Sequence, residues 1–137
     1  EACHFIDLFR HLAGSPINYY QRISMDSSTN DTVTLQLKFE NGSIGTLHYF
    51  SNGSRSLPKE RLEVFFNGKT LQLDNFKKLK GFGIPGFYNM KKFRQDKGQM
   101  NCTREFVDAI RNGTAPPIPF DEILEVSKIT LDIAALK

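Results

Sequence analysis

The fold is decided by residues 32–50, which read TVTLQLKFENGSIGTLHYF. In the first half of this stretch apolar and polar side chains alternate strictly, and a period of two predicts a strand with one buried face. The pair Asn41-Gly42 is a preferred two-residue hairpin turn. In the register of such a turn Leu35 lies opposite His48. The stretch therefore predicts a β-hairpin whose inner face carries the apolar residues of its first strand.

The same register places two large side chains of the returning strand, Leu47 and Tyr49, on the outer face of the hairpin. An apolar outer face needs a cover, and a second copy of the chain is a natural candidate. His48 falls on the inner face, where a hydrogen-bonded core histidine is a simpler interpretation than a catalyst. We therefore expect self-association through the open face of the sheet.

Periodicity and turn residues predict the remaining elements. They are a helix over 1–12, a strand over 17–25, a second hairpin over 60–73 that turns at Asn67-Gly68, a loop over 81–89, a helix over 101–111 and a last helix capped by Asp121. In the helix over 101–111, the predicted buried residues are Phe106, Val107 and Ile110. A helix, a run of strands and then helices is the order of an α+β fold. We expect an open mixed, mainly antiparallel sheet with helices on one face and the other face free.

The composition is that of one ordinary globular domain. The 137 residues carry a net charge of +3 and 39% hydrophobic residues, enough for a single core. No apolar run approaches the roughly 20 residues that span a bilayer, so we expect no membrane partner. Cys3 and Cys102 are too few for a disulfide framework and lack metal-ligand spacing, which favours a cytoplasmic protein with reduced thiols and no metal site. Because the chain opens at Glu1 inside a helical pattern, we interpret it as a piece of a longer protein.

The predicted first helix carries the strongest group of ionisable side chains. His4 and Asp7 are three residues apart, and His4 and His11 are seven apart, so all three share one helix face. A histidine held by a carboxylate is a competent general base. On spacing alone a solvated helix face explains the same pattern, and both interpretations stay open. Elsewhere Lys97, just before a helix, either offers an ammonium to an anionic substrate or faces solvent.

A basic stretch over residues 77–94 interleaves lysines with aromatic side chains around three glycines. A solvated loop explains this pattern as well as an anionic partner does. No recognised nucleic-acid module accompanies it, and we expect no nucleic-acid partner. The glycines lack the flanking strand and helix of a phosphate-binding loop, and no dinucleotide fingerprint occurs elsewhere. By itself the chain is therefore not expected to hold a cofactor or to catalyse a redox reaction.

The opening segment EACHFIDL at 1–8, continuing to LAGSPI at 12–17, resembles the G-x-H-x-x-D helix of the glucose-fructose oxidoreductase/inositol dehydrogenase (Gfo/Idh/MocA) family. Later segments are similar to that family's C-terminal domain in the same order: SNG at 51–53, KERLEV at 59–64, QDKG at 95–98, FVDAI at 106–110 and PIPF at 117–120. The resemblance covers nearly the whole chain and comes closest to members of polysaccharide or nucleotide-sugar metabolism. Its strength lies in the order of the blocks.

The resemblance implies that residues 1–137 form a single C-terminal substrate-binding and oligomerisation domain, with an open sheet of the dihydrodipicolinate-reductase-like type. NAD or NADP would bind to an N-terminal Rossmann domain that is absent from this chain. The whole protein would be an NAD(P)-dependent dehydrogenase that oxidises or reduces a sugar, a nucleotide sugar or a related polyol by hydride transfer.

The resemblance also assigns roles to individual residues. His4 matches the family's active-site histidine, the acid/base for the reacting hydroxyl, and Asp7 matches the acidic residue one turn later, which we expect to support it. A catalytic Asp that the family often has four residues before the histidine falls outside this chain and cannot be equated with Glu1. The blocks at 51–53 and 95–98 make Asn52 and Lys97 the expected substrate contacts. The alternative is a non-catalytic assembly module whose His4 is vestigial.

Overall fold

A computed structural model describes residues 2–29 and 31–136. The chain divides into two compact units, unit 1 within Glu1–Asn52 and Ala109–Lys137 and unit 2 within Gly53–Asp108. The described elements are, in order, α1 Ala2–Ala13, β1 Ile17–Ser24, β2 Thr32–Phe39, β3 Ile44–Phe50, β4 Arg61–Phe66, β5 Lys69–Asp74, β6 Lys78–Phe82, β7 Met90–Lys91, α2 Gln99–Asn112 and α3 Phe120–Ala135. Glu1, where the predicted first helix starts, lies outside the described residues.

Unit 1 is built around a three-stranded antiparallel sheet, sheet A, in the order β1-β2-β3. Alternation along β2 sends Leu35, Leu37 and Phe39 to one face, where each is 2% exposed. Helices α1 and α3 cover this face, and their buried apolar residues are Ile6, Val126, Ile129 and Ile133. Burying a side chain of this size contributes about 1.5–3 kcal/mol. The predicted buried face of residues 32–39 is confirmed as the core of unit 1.

The predicted register of the first hairpin is wrong by one residue. Leu35 lies opposite Leu47 rather than opposite the residue that follows Leu47. The connection has three residues instead of two, because the Phe39 N–H donates to Ser43 O at 2.9 Å. Gly42 closes the turn with a φ of 86°. A three-residue loop that ends on a left-handed residue is the type I turn with a G1 bulge, the next commonest hairpin after the two-residue turns.

Contacts with the end of α1 and the segment after it stabilise the loop in this longer form. The Asn41 N–H donates to Ser15 Oγ at 3.1 Å, and Asn41 Nδ2 donates to Ala13 O at 2.9 Å. The Glu40 N–H donates to Pro16 O at 2.9 Å. These three hydrogen bonds are tertiary, and they stabilise the three-residue loop. Together they outweigh the local preference of the Asn-Gly pair for a two-residue turn.

The shift of one residue exchanges the two faces of β3. Leu47, expected on the outer face, is 9% exposed and belongs to the core. Tyr49 shares that inner face and is half-buried, so the prediction of an outward Leu47 and Tyr49 is wrong. His48, expected inside, is exposed. The apolar side chains on the outer face are instead Ile44 and Phe50, which are 80% and 57% exposed.

A shielded ion pair joins α1 to α3. The Arg10 side chain is 10% exposed, with Nε 2.9 Å from Glu125 Oε2 and Nη2 3.6 Å from Glu122 Oε1. The second oxygen of Glu125 accepts a hydrogen bond from the Ile17 N–H at 2.6 Å, at the start of β1. One carboxylate therefore holds both helices and the first strand of sheet A together.

The N-terminal end of α3 differs from the prediction. Pro119 takes the N-cap position and no side chain caps the helix, so the predicted cap at Asp121 is wrong. Asp121 lies in the first turn, where a negative charge still favours the helix dipole. At the other end Arg22 Nη1 donates to Leu136 O at 3.0 Å, and this bond satisfies a carbonyl just beyond the last turn.

Unit 2 contains a four-stranded antiparallel sheet, sheet B, in the order β4-β5-β6-β7. Asn67 and Gly68 have φ angles of 44° and 70°, and they connect Phe66 directly to its partner Lys69. Positive φ at both central residues is the type I′ turn. The second predicted hairpin is confirmed, because here no tertiary bond competes with the turn among the described residues.

The loop predicted over residues 81–89 is shorter in the structure, since β6 includes Gly81 and Phe82. Gly81 lies under the ring of Phe87, and a Cβ built on it would stand 2.5 Å from Phe87 Cδ1. The Asn89 side chain accepts a hydrogen bond from the Gly81 N–H at 3.2 Å. The glycine lets the returning segment pack directly on the strand.

Helix α2 begins two residues before its predicted start, and its apolar stripe is left largely uncovered. Phe106 and Ile110 are 55% and 66% exposed, and Val107 is half-buried. The predicted burial of Phe106 and Ile110 is therefore wrong, because the residues that the structure describes do not pack over them.

The chain is an α+β protein with antiparallel sheets and three helices in its described part. The expected single, mixed sheet is wrong, since the described strands form two sheets and each of their pairings is antiparallel. The prediction of one domain over residues 1–137, with a Rossmann domain outside them, stays a prediction.

Candidate functional site

Helix α1 turns a polar face away from the core of unit 1. His4 and His11 are exposed and Asp7 is half-buried, whereas Ile6 on the other side of the helix is 1% exposed. Spacings of three and seven residues keep the polar side chains on one side of a regular helix. The imidazole of His4 is therefore open to a ligand that approaches α1 from outside the core.

The His4 imidazole is not held by a carboxylate of its own helix. Within residues 2–29 and 31–136, no hydrogen bond or ion pair joins His4 to Asp7. The orientation of the imidazole by a carboxylate, which prepares a histidine for proton transfer, is not made by this pair. A supporting role for Asp7 stays a prediction.

Asn52 lies at the rim of an open depression of about 350 Å³ at one end of sheet A. The lining residues are Ile23, Ser24, Met25, Thr32, Val33, Thr34, Phe50 and Asn52. Asn52 Nδ2 is 3.7 Å from Met25 Sδ, a weak contact that leaves the amide oxygen open to a donor. The walls combine apolar side chains with a few hydroxyl and amide groups.

The structure does not bring Asn52 together with His4. Three lining residues of the depression, Ile23, Thr34 and Phe50, belong to the outer face of sheet A by the strand register. Helix α1 covers the inner face. The two predicted site residues of unit 1 are therefore associated with opposite sides of the sheet.

Lys97 lies in unit 2, where it is bound to a carboxylate. Its Nζ is 2.5 Å from Glu60 Oε1 and 5.9 Å from the centre of the Phe76 ring. Gln95 Nε2 donates to Glu60 Oε2 at 3.1 Å and to Asn75 Oδ1 at 3.0 Å. This network fastens the segment before α2 to sheet B, and the ammonium of Lys97 takes part in it.

Asp96, the neighbour of Lys97, is held in the same segment. Its carboxylate accepts from Lys92 Nζ at 2.5 Å and from the Gly98 N–H at 2.9 Å. The hydrogen bond from Lys92 is the main reason that the pKa of the Asp96 carboxyl lies below its usual range. The hydrogen bond from the Gly98 N–H lowers this pKa further. The carboxylate therefore stays charged at neutral pH and is not a proton donor.

His48, interpreted above as a core residue, stands on the outer face of sheet A. Its Nδ1 is 3.1 Å from Thr34 Oγ1, and its ring centre is 5.3 Å from that of Phe50. It is hydrogen-bonded as expected, but the bond is made on an exposed surface.

Sequence reasoning missed the carboxylates that surround Arg10. The signal was present, since Arg10 lies one helical turn after Ile6 on the core side of α1, and a cation in that position needs a partner of opposite charge. Glu122 and Glu125 are three residues apart on α3 and supply it. The group links elements and is not open to a ligand, so we assign it to the scaffold.

No group of three His, Cys, Asp or Glu side chains suited to a metal ion occurs among residues 2–29 and 31–136. Both cysteines are free thiols. Over the same residues, no helix is long and apolar enough to cross a membrane. Nor do the described glycines form a cradle for a dinucleotide, because Gly81 ends under an aromatic ring and Gly83 leads into a turn instead of a helix.

A scan against protein-family models and a search of the curated proteins each find no match. Solved structures do match. UDP-N-acetylglucosamine 3-dehydrogenase GnnA from Acidithiobacillus ferrooxidans gives a TM-score of 0.74 at 18% identity, over 96% of this chain and 45% of its own. A second crystal form of GnnA gives 0.79 at 16% identity, over 96% and 44%.

Two further dehydrogenases match over similar lengths. The dehydrogenase MviM from Clostridium difficile gives a TM-score of 0.75 at 20% identity, over 98% of this chain and 46% of its own. The WlbA dehydrogenase from Bordetella pertussis, solved in complex with NADH and UDP-GlcNAcA, gives 0.57 at 17% identity, over 97% and 40%.

The chain has the fold found in Gfo/Idh/MocA-type dehydrogenases, and the match is consistent with their C-terminal domain. The resemblance noted in the order of the sequence blocks is thereby confirmed at the level of the fold. The chain spans less than half the length of each of these relatives, 40–46%.

Proposed function

We propose that this chain is the C-terminal substrate-binding and oligomerisation domain of an NAD(P)-dependent dehydrogenase that acts on a sugar, a nucleotide sugar or a related polyol. One observation carries the proposal. In a fold that matches a UDP-N-acetylglucosamine 3-dehydrogenase over 96% of the chain, α1 presents His4 on its exposed face. An exposed imidazole is a side chain that can take a proton from a substrate hydroxyl.

The cofactor would be held by another part of the protein, as the resemblance implies. The nicotinamide supplies hydride chemistry when bound. This chain's own contribution is the proton at His4, supported by Asp7, and contacts to the substrate. Asn52 is suited to such a contact by its free amide oxygen, and Lys97 would act together with Glu60, to which it is bound. The free thiols of both cysteines fit a cytoplasmic protein.

The first test is the binding of NADH and NADPH, followed by fluorescence titration, to this 137-residue chain and to the longer polypeptide that contains it. We expect binding by the longer polypeptide alone. If neither form binds a nicotinamide cofactor, the proposed redox function is wrong. Binding by the isolated chain would contradict the assignment of the cofactor site to another domain.

A pair of substitutions on α1 tests the role of His4. In the longer polypeptide, His4→Ala is expected to lower kcat about 100-fold or more with a sugar substrate found by screening, because general-base catalysis contributes about 10²–10⁴-fold. His11→Ala removes an exposed imidazole from the same helix face and is expected to leave kcat within about twofold. Equal effects of the two substitutions would remove His4 from the reaction.

The alternative is an assembly module without catalysis, and the exposed Ile44 and Phe50 on the outer face of sheet A favour it. In that case His4→Ala leaves turnover unchanged, while Ile44→Ser converts the oligomer into a monomer in analytical ultracentrifugation. The corrected register makes Ile44 the residue to change, because Leu47 lies in the core and its substitution would destabilise the fold itself.

A further inference from the structure

One face of sheet B carries two uncovered aromatic rings in a row across the strands. Phe65 on β4 pairs with Thr70 on β5, and Thr70 pairs with Phe82 on β6. Residues that pair directly across an antiparallel sheet share a face, and Phe65 and Phe82 are 72% and 53% exposed. The backbone positions of Phe65 and Phe82 are two strand spacings apart, about 10 Å, with the small side chain of Thr70 between them. Exposed aromatic rings on an antiparallel sheet are a platform on which nucleobases stack.

The next row on the same face supplies a positive charge. Lys80 on β6 pairs with Gln72 on β5, which pairs with Glu63 on β4. The Glu63 carboxylate is engaged by Arg61 Nη2 at 2.7 Å and by Gln72 Nε2 at 3.0 Å. Among the described residues, Lys80 has no carboxylate partner. Lys80 is exposed and stands on the same face of β6 as Phe82, with the two backbone positions about 7 Å apart.

The third row concentrates further positive charge. Lys78 on β6 lies directly opposite Lys91 on β7. Like charges directly opposite each other are destabilising unless an anion is shared between them. In the described part of the chain neither lysine takes part in an ion pair. Asp74, on the other side of Lys78, is the nearest acidic side chain by register. The face therefore runs from aromatic at one end to cationic at the other.

We propose that this face of sheet B binds a nucleoside diphosphate. The base stacks on Phe82 or between Phe82 and Phe65, the ribose spans the step to Lys80, and the phosphates lie among Lys80, Lys78 and Lys91. The binding of a phosphate between Lys78 and Lys91 relieves their repulsion, as an anion does wherever like charges are paired. The proposal rests on sheet B alone and is independent of the function proposed for His4.

The arrangement favours one nucleotide over a nucleic-acid strand. A protein that tracks a single strand needs aromatic platforms repeated along the path of the backbone. Here the aromatic residues occupy one row, and the two rows beyond it are ionic and polar. The face thus offers one stacking site and one cluster of phosphate ligands.

The test is calorimetric titration of the 137-residue chain with ADP, with adenosine and pyrophosphate as its two halves. We expect ADP to bind more tightly than either half. Phe82→Ser should raise the Kd for ADP about fivefold or more and leave pyrophosphate unchanged, because it removes a stacked base. Lys80→Gln should raise the Kd for both ADP and pyrophosphate about threefold. Both substituted residues are exposed, and circular dichroism checks the fold of each variant.

Matched controls use residues of the same type away from this face. Phe93→Ser changes a ring that is 92% exposed in unit 2, and Lys38→Gln changes an exposed lysine of sheet A; neither should alter the Kd for ADP. The proposal is overturned if ADP does not bind at millimolar concentration, or if Phe93→Ser weakens ADP as much as Phe82→Ser does. It is also overturned if a ten-residue oligothymidylate binds far more tightly than ADP, since that result would indicate a nucleic-acid surface.

Discussion

Arg10 is a cation on a helix face that is otherwise apolar, and its surroundings explain how the core tolerates it. Glu125 lies 2.9 Å from its Nε and Glu122 lies 3.6 Å from its Nη2. Removing one member of a shielded ion pair leaves the other charge without compensation, which costs more than the pair contributes when intact. The ion pair of Arg10 with Glu125 should therefore favour the pairing of α1 with α3 in which both charges are compensated.

Leu47 gives the register of the first hairpin a measurable consequence. Because Leu47 is 9% exposed, Leu47→Ala should lower the free energy of unfolding by about 2–4 kcal/mol. Ile44→Ala, on the same strand but 80% exposed, should change it by about 0.5 kcal/mol or less. Urea denaturation followed by circular dichroism measures both. A larger loss for Ile44→Ala would mean that the two faces of β3 are assigned the wrong way round.

At this scale the sequence predicts the pattern of β2 and its pairing with β3, but not the register of that pairing. The apolar alternation through Leu35 and Leu37 is local, and the structure follows it. The turn depends on Ser15 and Ala13, which are 26 and 28 residues from Asn41 in sequence. No local sequence pattern predicts such hydrogen bonds. A register error of one residue then moves Leu47 from one face of β3 to the other. The exposed setting of His4, by contrast, follows from helical spacing alone.

Among the elements, α1 approaches sheet A at a position that only glycine permits. A Cβ built on Gly45 in β3 would stand 2.7 Å from Phe9 Cδ2. Real Cβ atoms do not come so close, so the ring lies directly on the strand backbone. The helix is therefore held nearer to the sheet than two ordinary side chains would allow.

This contact predicts a coupling between helix and strand. Gly45→Ala should lower the free energy of unfolding by about 1–3 kcal/mol, because the added methyl group overpacks the contact with Phe9. In the background of Phe9→Leu, whose side chain is smaller, the same change should cost measurably less. Thermal and urea unfolding of the wild type, the two single variants and the double variant gives the interaction energy, and Thr46→Ala, at the exposed next position, serves as the control. Additive losses would show that Phe9 does not confine Gly45.

Considering the whole chain, the buried apolar side chains of the described residues all belong to unit 1. The apolar positions of sheet B, such as Leu62, Val64 and Leu73, are only half-buried. Regions with less buried apolar surface open at lower free energy than the core does. The two sheets should therefore differ in stability although each is regularly hydrogen-bonded.

Hydrogen exchange measures this difference. In native conditions, backbone amides of β2 should exchange at least about tenfold more slowly than those of β4 and β5, because a difference of 1.4 kcal/mol in opening free energy corresponds to a factor of ten. Peptides that cover residues 33–39 and 61–74 are compared by mass spectrometry on one sample. Equal protection of both sheets would mean that they open as one cooperative unit.

The fold could be predicted from the sequence, but the division of the strands into two sheets could not. The order of short blocks from His4 to Phe120 resembles one family, and the structural matches bear out that fold. Local sequence patterns do not show whether two strands belong to one sheet, since β3 and β4 would each have the same alternating pattern in either case. The expected burial of α2 failed for the same reason, because periodicity locates an apolar stripe without saying what covers it.

The carboxylate of Glu125 bonds to residues 115 and 108 positions earlier in the chain, Arg10 and the Ile17 N–H. During synthesis α1 and the first three strands leave the ribosome long before α3 does. The apolar face of sheet A that α3 covers is therefore exposed until α3 emerges. Residues 53–108, in contrast, are contiguous and can fold as soon as they leave the exit tunnel. Of the two units, unit 1 is therefore the later to be completed during synthesis, and its uncovered apolar face is the one that a chaperone would shield.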